Sequence, residues 1–311
     1  MHHFDAQAVA AALPYPQLVE ALASGLQAPI EVPARSVLSP NHDDSCVLVM
    51  PAWQRGQRMG VKLVSVWPGN GALGLPAVSG VYVLISCETG QPLAVMDGTE
   101  LTLRRTAAAA ALAARLLARS DSRTLAVLGT GALSAPLVQA HASVMPLERV
   151  LVWGRDPQRA QSVLGRLQGL DLQVEVSLDL QQTLAQADVV AVATTATQPF
   201  IPTDGVRAGT HLGLVGAFTP QMAEAEPALM ARAQVFADQR AAVIEKGGEV
   251  WQALQQGLIT PSAIEAELAE LAAQPRRAWR RSASGITVFK SVGFASLDLI
   301  AAERVYHAHT S

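Results

Sequence analysis

The chain has 311 residues, half of them hydrophobic but only 5% aromatic, and 23 Lys and Arg against 26 Asp and Glu leave a net charge of −3. That length and aliphatic content suit two domains with large cores. The lack of basic excess argues against nucleic acid as a partner, and two isolated cysteines, Cys46 and Cys87, argue against a disulfide framework or a metal site. The start, Met1-His2-His3-Phe4-Asp5, is not that of a signal peptide, and no apolar run is long enough to span a membrane, so a cytoplasmic protein is expected.

In chain order, Asp5 is placed to cap a first helix reaching about Leu13. Pro16 suits the first turn of a second, through about Gln27. Cys46–Met50, Met59–Val66, Gly80–Ile85 and Pro92–Met96 read as strands separated by turn formers, which predicts a mostly antiparallel sheet. Asp97-Gly98-Thr99-Glu100 stops that run and caps an alanine-rich helix from Leu101 to about Ala118.

After Arg123 the rhythm changes. Apolar runs at Leu125–Leu128, Val150–Trp153, Val174–Val176, Val189–Ala193, Leu212–Val215 and Val235–Ala237 alternate with helical segments, and the tail from Ser291 to about His307 reads as helix. Strands spaced by helices predict an α/β fold, a Rossmann doubly wound parallel sheet, joined to an α+β domain. The expected boundaries are 1–120 with 292–311 for the α+β part and 121–291 for the Rossmann part.

The clearest motif follows the first of those runs: Gly129-Thr130-Gly131-Ala132-Leu133-Ser134. The glycines allow a tight turn and close approach of backbone to a pyrophosphate, and the helix behind offers free N–H groups. One strand further on, where an acid would read the ribose of NAD, stand Gly154 and Arg155. This pair suits the 2′-phosphate of NADP(H), with NAD(H) also possible. Three cations, Arg35, Lys62 and Arg105, sit among apolar neighbours, where either an anionic substrate or separate ion pairs would account for them. His211 reads as structural and Cys87 as a packing residue, and Glu245–Glu249 as a helix boundary or else a polar loop near the cofactor. No cluster has metal-ligand spacing.

Five segments then occur in order: Gly60-Val-Lys62-Leu-Val, Pro68-Gly-Asn70, Asp97-Gly-x-x-Leu101-Thr102-x-x-Arg105-Thr106-Ala107-Ala108, Gly129-x-Gly131, and Lys290-Ser291-Val292-Gly293-x-Ala295-x-x-Asp298. Together they resemble the ornithine cyclodeaminase/mu-crystallin family over nearly the whole chain. The resemblance implies a homodimer, a first domain that holds substrate and supplies the dimer interface, and a C-terminal helix that rejoins it. It implies that Arg35, Lys62 and Arg105 face a substrate carboxylate. It places Thr194, Thr195, Val215, Gly216, Ala217, Ser291, Val292 and Gly293 beside the cofactor.

One departure changes the chemistry that the resemblance implies. Ornithine cyclodeaminases carry an aspartate where Phe218 stands here, and a phenyl ring cannot act as a base. The runs Leu75–Tyr82 and Met50–Gln54 look most like the Δ1-pyrroline-2-carboxylate reductase branch. That implies NAD(P)H-dependent reduction of a small cyclic imino acid bearing a carboxylate, with Lys62 catalytic as proton donor or as part of the carboxylate clamp. The alternatives are cyclodeamination, alanine dehydrogenation, or a mu-crystallin-like protein that binds ligand without turnover.

Overall fold

The computed structural model describes residues 1–42, 45–274 and 278–310. The chain divides into two compact units, Met1–Thr106 with Phe294–Ser311, and Ala107–Gly293. The alanine-rich helix, assigned above to the first domain, contributes its first residues to the first unit and the remainder to the second.

The first unit opens with β1 (His2–Phe4), α1 (Ala6–Ala12) and α2 (Tyr15–Gly25). The Asp5 side chain caps α1 by accepting a 2.8 Å bond from the Ala8 N–H, and Pro16 lies in the first turn of α2. Strands β2 (Ser36–Leu38), β3 (Cys46–Trp53), β4 (Arg58–Val66), β5 (Val78–Ser86) and β6 (Pro92–Asp97) follow. The sheet order is β1-β6-β5-β4-β3-β2, antiparallel except for the β1–β6 pair. Strands β1 and β2, three residues each, are too short to show an alternating pattern in the sequence.

Helix α3 (Gly98–Leu117) starts three residues before the expected Leu101, because the Asp97 carboxylate accepts a 2.7 Å bond from the Glu100 N–H and so draws 98–100 into the first turn. Cys87 corrects a prediction: it is exposed just after β5 rather than packed.

The second unit carries β7 (Thr124–Leu128), α4 (Ser134–Val144), β8 (Arg149–Trp153), α5 (Pro157–Gly165), β9 (Gln173–Ser177), α6 (Leu180–Gln186), β10 (Val189–Val192) and β11 (His211–Leu214). It continues through α7 (Leu229–Arg232), β12 (Ala233–Ala237), α8 (Arg240–Lys246), α9 (Glu249–Gln255), β13 (Ile264–Glu267), α10 (Leu268–Ala272) and β14 (Ile286–Lys290). The eight strands, all parallel, run β13-β12-β14-β11-β10-β7-β8-β9. This is the doubly wound sheet expected, with its order reversing between β7 and β10.

Helix α11 (Ala295–Thr310) belongs to the first unit and packs on β3, β4 and β5. It begins four residues later than the predicted Ser291, because Ser291–Gly293 are irregular, with Gly293 at φ +73°, a backbone conformation outside the helix. No helix among the described residues is long and apolar enough to cross a membrane.

Two histidines are locked inside the second unit. His141 on α4 donates from Nδ1 to the Leu137 carbonyl at 2.7 Å, and His211 on β11 lies 2.9 Å from the Thr287 hydroxyl. Burial lowers their pKa values to about 4 and about 3 respectively, and His141 and Arg280 lower His211 further. Between those values and the unfolded value of about 6.5 the unfolded chain binds protons that the folded one refuses. The contribution of these two histidines to stability is therefore constant above pH ~6.5 and falls below it, by up to about 1.4 kcal/mol per pH unit for each histidine. Calorimetry should show a lower Tm at pH 5 than at pH 7, with a smaller difference in His211→Asn.

Candidate active site

In β4 the side chains alternate, so Gly60 and Lys62 point inward and Leu63 outward. Tyr82 lies opposite Lys62 in the register, fully buried. A Cβ at Gly60 would collide with the Tyr82 hydroxyl, which accounts for the glycine two residues before the lysine. Lys62 is 1% exposed and Arg105, on α3, is 5% exposed; both meet Asp298 in the first turn of α11, which is 0% exposed. Lys62 Nζ lies 2.9 Å from Asp298 Oδ1 and 2.8 Å from Oδ2, and Arg105 Nε donates to Oδ1 at 2.8 Å. Thr102, one helical turn before Arg105, places its hydroxyl 3.4 Å from the ammonium.

Burial, chiefly, and then the Arg105 charge lower the Lys62 pKa to about 8, while Asp298 raises it and Arg35 adds a further lowering. Arg105 and Lys62 hold the Asp298 carboxyl below its usual range against the opposing effect of burial. The first unit thus brings Lys62 and Arg105 together, with Arg35 near enough to act on Lys62 electrostatically.

At the C-terminal edge of the parallel sheet a cleft of about 450 Å³ opens beside the glycine turn. Of the residues expected at the cofactor, Gly129, Thr130, Gly131, Gly154, Arg155, Thr194 and Thr195 line it. Gly129 has φ +124°, and a Cβ there would strike the Ala193 carbonyl. A Cβ on Gly131 would instead project into open space, so the bare backbone leaves a cradle of the kind a pyrophosphate fills. Ser134, at the third position of the motif, donates its hydroxyl to the Gly129 carbonyl at 2.8 Å. Gly154 also has a local reason: a Cβ there would lie 2.5 Å from the Thr130 methyl.

Ala132 and Leu133 sit in the turn before α4, outside the cleft lining. Val215, Gly216 and Ala217 follow β11, and Ser291, Val292 and Gly293 follow β14, also outside it. Phe218 is 41% exposed.

Several acids organise these segments, and the sequence reading missed them. Asp238 Oδ2 accepts from the Ser291 hydroxyl at 2.7 Å and from the N–H groups of Val292 and Gly293 at 2.9 and 2.7 Å. Glu224 Oε1 accepts from the Thr194 N–H at 2.6 Å, and its Oε2 from the Gly216 N–H at 3.0 Å. Each lies in an apolar run, Ala223-Glu224-Ala225 and Phe236-Ala237-Asp238, and such a setting was the available signal. Asp298, in Leu297-Asp298-Leu299, lies within a segment that carries the family resemblance, but its partners are distant in sequence. Arg159 joins Arg155 at the cleft, and Arg166 donates to the Gly131 carbonyl at 3.1 Å.

A doubly wound sheet with this turn and cleft defines a dinucleotide-binding domain, here coupled in one chain to a unit that buries cations. The chain belongs to the ornithine cyclodeaminase/mu-crystallin family, whose pattern matches residues 7–311. It is 41% identical over 255 residues to the Delta(1)-pyrroline-2-carboxylate reductase of Paracoccus denitrificans, covering 82% of this chain and 80% of that one. The Thermococcus litoralis Delta(1)-pyrroline-2-carboxylate reductase, solved with NADH and L-proline, superposes with TM-score 0.93 at 28% identity, over 99% of this chain and 97% of that one. An archaeal alanine dehydrogenase dimer with bound NAD superposes with TM-score 0.91 at 26% identity, over 99% and 95%.

Asp298 is the counter-charge for two buried cations. Asp298→Asn removes it and leaves both cations uncompensated, so urea unfolding should show a loss of about 3–5 kcal/mol.

Proposed function

We propose that this chain reduces cyclic α-imino acids, Δ1-pyrroline-2-carboxylate to L-proline and Δ1-piperideine-2-carboxylate to L-pipecolate, in the cytoplasm. The observation that carries the proposal is the Lys62–Arg105–Asp298 cluster: among the described residues these two buried cations share the one carboxylate of Asp298, so the cluster keeps a positive charge that suits an anionic substrate. The reductase from Paracoccus denitrificans and the Thermococcus litoralis complex, which holds the amino acid product together with NADH, support the same chemistry.

Arg35 and Arg105 grip the substrate carboxylate, which fixes the ring and its imine in one orientation. When bound, a reduced nicotinamide supplies the hydride to the imine carbon; the C=N π pair takes a proton at nitrogen. Lys62, with a pKa of about 8, is protonated at neutral pH and holds a proton for that nitrogen. Phe218 offers no carboxylate for a substrate amine, which disfavours cyclodeamination.

NADP(H) is the preferred nucleotide, with NAD(H) also accepted. Arg155 and Arg159 line the cleft, and the nearby acid, Asp156, is engaged as the cap of α5, accepting from the Gln158 and Arg159 N–H groups. A second copy of the chain completes the assembly. The outward face of the first sheet carries Val47, Val49, Val61, Leu63, Val81 and Val83, all at least partly exposed, with Leu38 exposed at its edge.

The test is oxidation of NADPH and NADH with each cyclic imine, with pyruvate plus ammonia as control. Turnover only with pyruvate and ammonia would overturn the proposal. Lys62→Ala should lower kcat by at least about a hundredfold while the Kd for NADPH stays within about twofold. Arg155→Asp should move preference towards NADH; an unchanged ratio of kcat/KM would remove Arg155 from nucleotide choice. Sedimentation should give the mass of two chains, and Leu63→Glu that of one.

A further inference from the structure

Among the described residues, three charged side chains of the second unit form one fully buried cluster beside the ends of β10, β11 and β14. Glu224 and Glu249 are each 0% exposed, and so is Lys290, the last residue of β14. Lys290 Nζ donates to Glu249 Oε2 at 2.6 Å, and Glu249 Oε1 accepts from the Glu224 N–H at 2.5 Å. Glu224 accepts from the Thr194 N–H and hydroxyl on Oε1, and from the N–H groups of Gly216 and Ala217 on Oε2. Both of its oxygens are thus occupied by backbone donors, an arrangement made for a carboxylate rather than a carboxylic acid. Burial, with the neighbouring Glu249 charge, raises the Glu224 carboxyl above its usual range, although Lys290 and the Thr194 bonds pull it down. A Cβ on Gly216 would collide with the Glu224 carboxylate, so the glycine exists to let that charge approach the end of β11.

With both carboxyls ionised, as the backbone donors around Glu224 favour, two carboxylates against one ammonium give the cluster one net negative charge. In a doubly wound sheet the dinucleotide crosses the carboxyl ends of the strands where their order reverses. Here β8 carries the expected ribose-reading tip, and Glu224 holds the segments after β10 and β11, on the other side of the reversal, where the nicotinamide half of a dinucleotide would lie. The nicotinamide ring is neutral when reduced and cationic once it has given up its hydride.

We propose that the Glu224–Glu249–Lys290 cluster is an electrostatic element of the reaction: a buried net negative charge that favours the oxidised, cationic nicotinamide over the reduced one and so eases hydride release. It rests on the dinucleotide role assigned above to the second unit. Within the cluster Glu224 also positions backbone, by tying the ends of β10 and β11 together, whereas Glu249 supplies charge without touching either strand end.

That division gives the test. Full-length wild type, Glu249→Gln and Glu224→Gln are titrated with NADP+ and NADPH, and with NAD+ and NADH, by calorimetry. In Glu249→Gln the Kd for the oxidised nucleotide should rise roughly tenfold, the scale for a unit charge nearby in a protein interior, while that for the reduced form changes little. Glu224→Gln should show the same selective loss together with a weakening of both forms. Equal changes in both forms, or none, in a folded Glu249→Gln would overturn the proposal and leave the cluster a scaffold. If Glu249→Gln does not fold, the oxidised-to-reduced ratio in Glu224→Gln decides. Wild type that binds neither nucleotide would overturn the dinucleotide assignment itself, a different result from bound nucleotides whose ratio does not move.

Discussion

A buried cation needs a fixed counter-charge, and in the first unit one carboxylate serves two of them. Asp298 sits in the first turn of α11, Lys62 in the middle of β4, and Arg105 one turn along α3 from Thr102. Sheet, helix and C-terminal helix are therefore joined by charge as well as by apolar packing. Desolvation of that many ions is costly, and a purely apolar core would hold the unit together at least as well. The cost makes sense where an anion must be recognised, because an excess positive charge held away from water attracts a carboxylate far more strongly than one on the surface.

The second unit uses the same device with the opposite sign. Asp238 gathers the Ser291–Gly293 turn, and Glu224 gathers the segments after β10 and β11. Loops at the carboxyl ends of parallel strands have no ladder to define them. Buried acids that accept several N–H bonds take the place of the missing ladder. Gly129 and Gly216 are glycines because a backbone carbonyl or a carboxylate fills the space that a Cβ would need.

Much of this was legible in the sequence where a local rule governed it. The doubly wound sheet followed from the alternation of apolar runs and helices, and the turn at Gly129–Ser134 from its position after a strand. The helix caps at Asp5 and Asp97 followed from residue type. What escaped was non-local. Strands β1 and β2 depend on a neighbour for their existence, and β14 was hidden beside a tail read as helix too early. The partner of Lys62 lies 236 residues away and that of Arg105 lies 193 away. Periodicity cannot find such pairs. A single acid inside an apolar helix face, as at Asp298, is the trace they leave.

The long separation also bears on how the chain comes into being. A ribosome delivers Lys62 and Arg105 well before Asp298, so during synthesis the inner face of the first sheet must wait with two cations and no counter-ion. In that interval water still has to solvate both groups, which disfavours dry collapse of β4 and α3. Only when α11 emerges can the sheet close over its charges. Closure of the first unit over its two cations thereby depends on α11, whose Asp298 is the anion that both of them share.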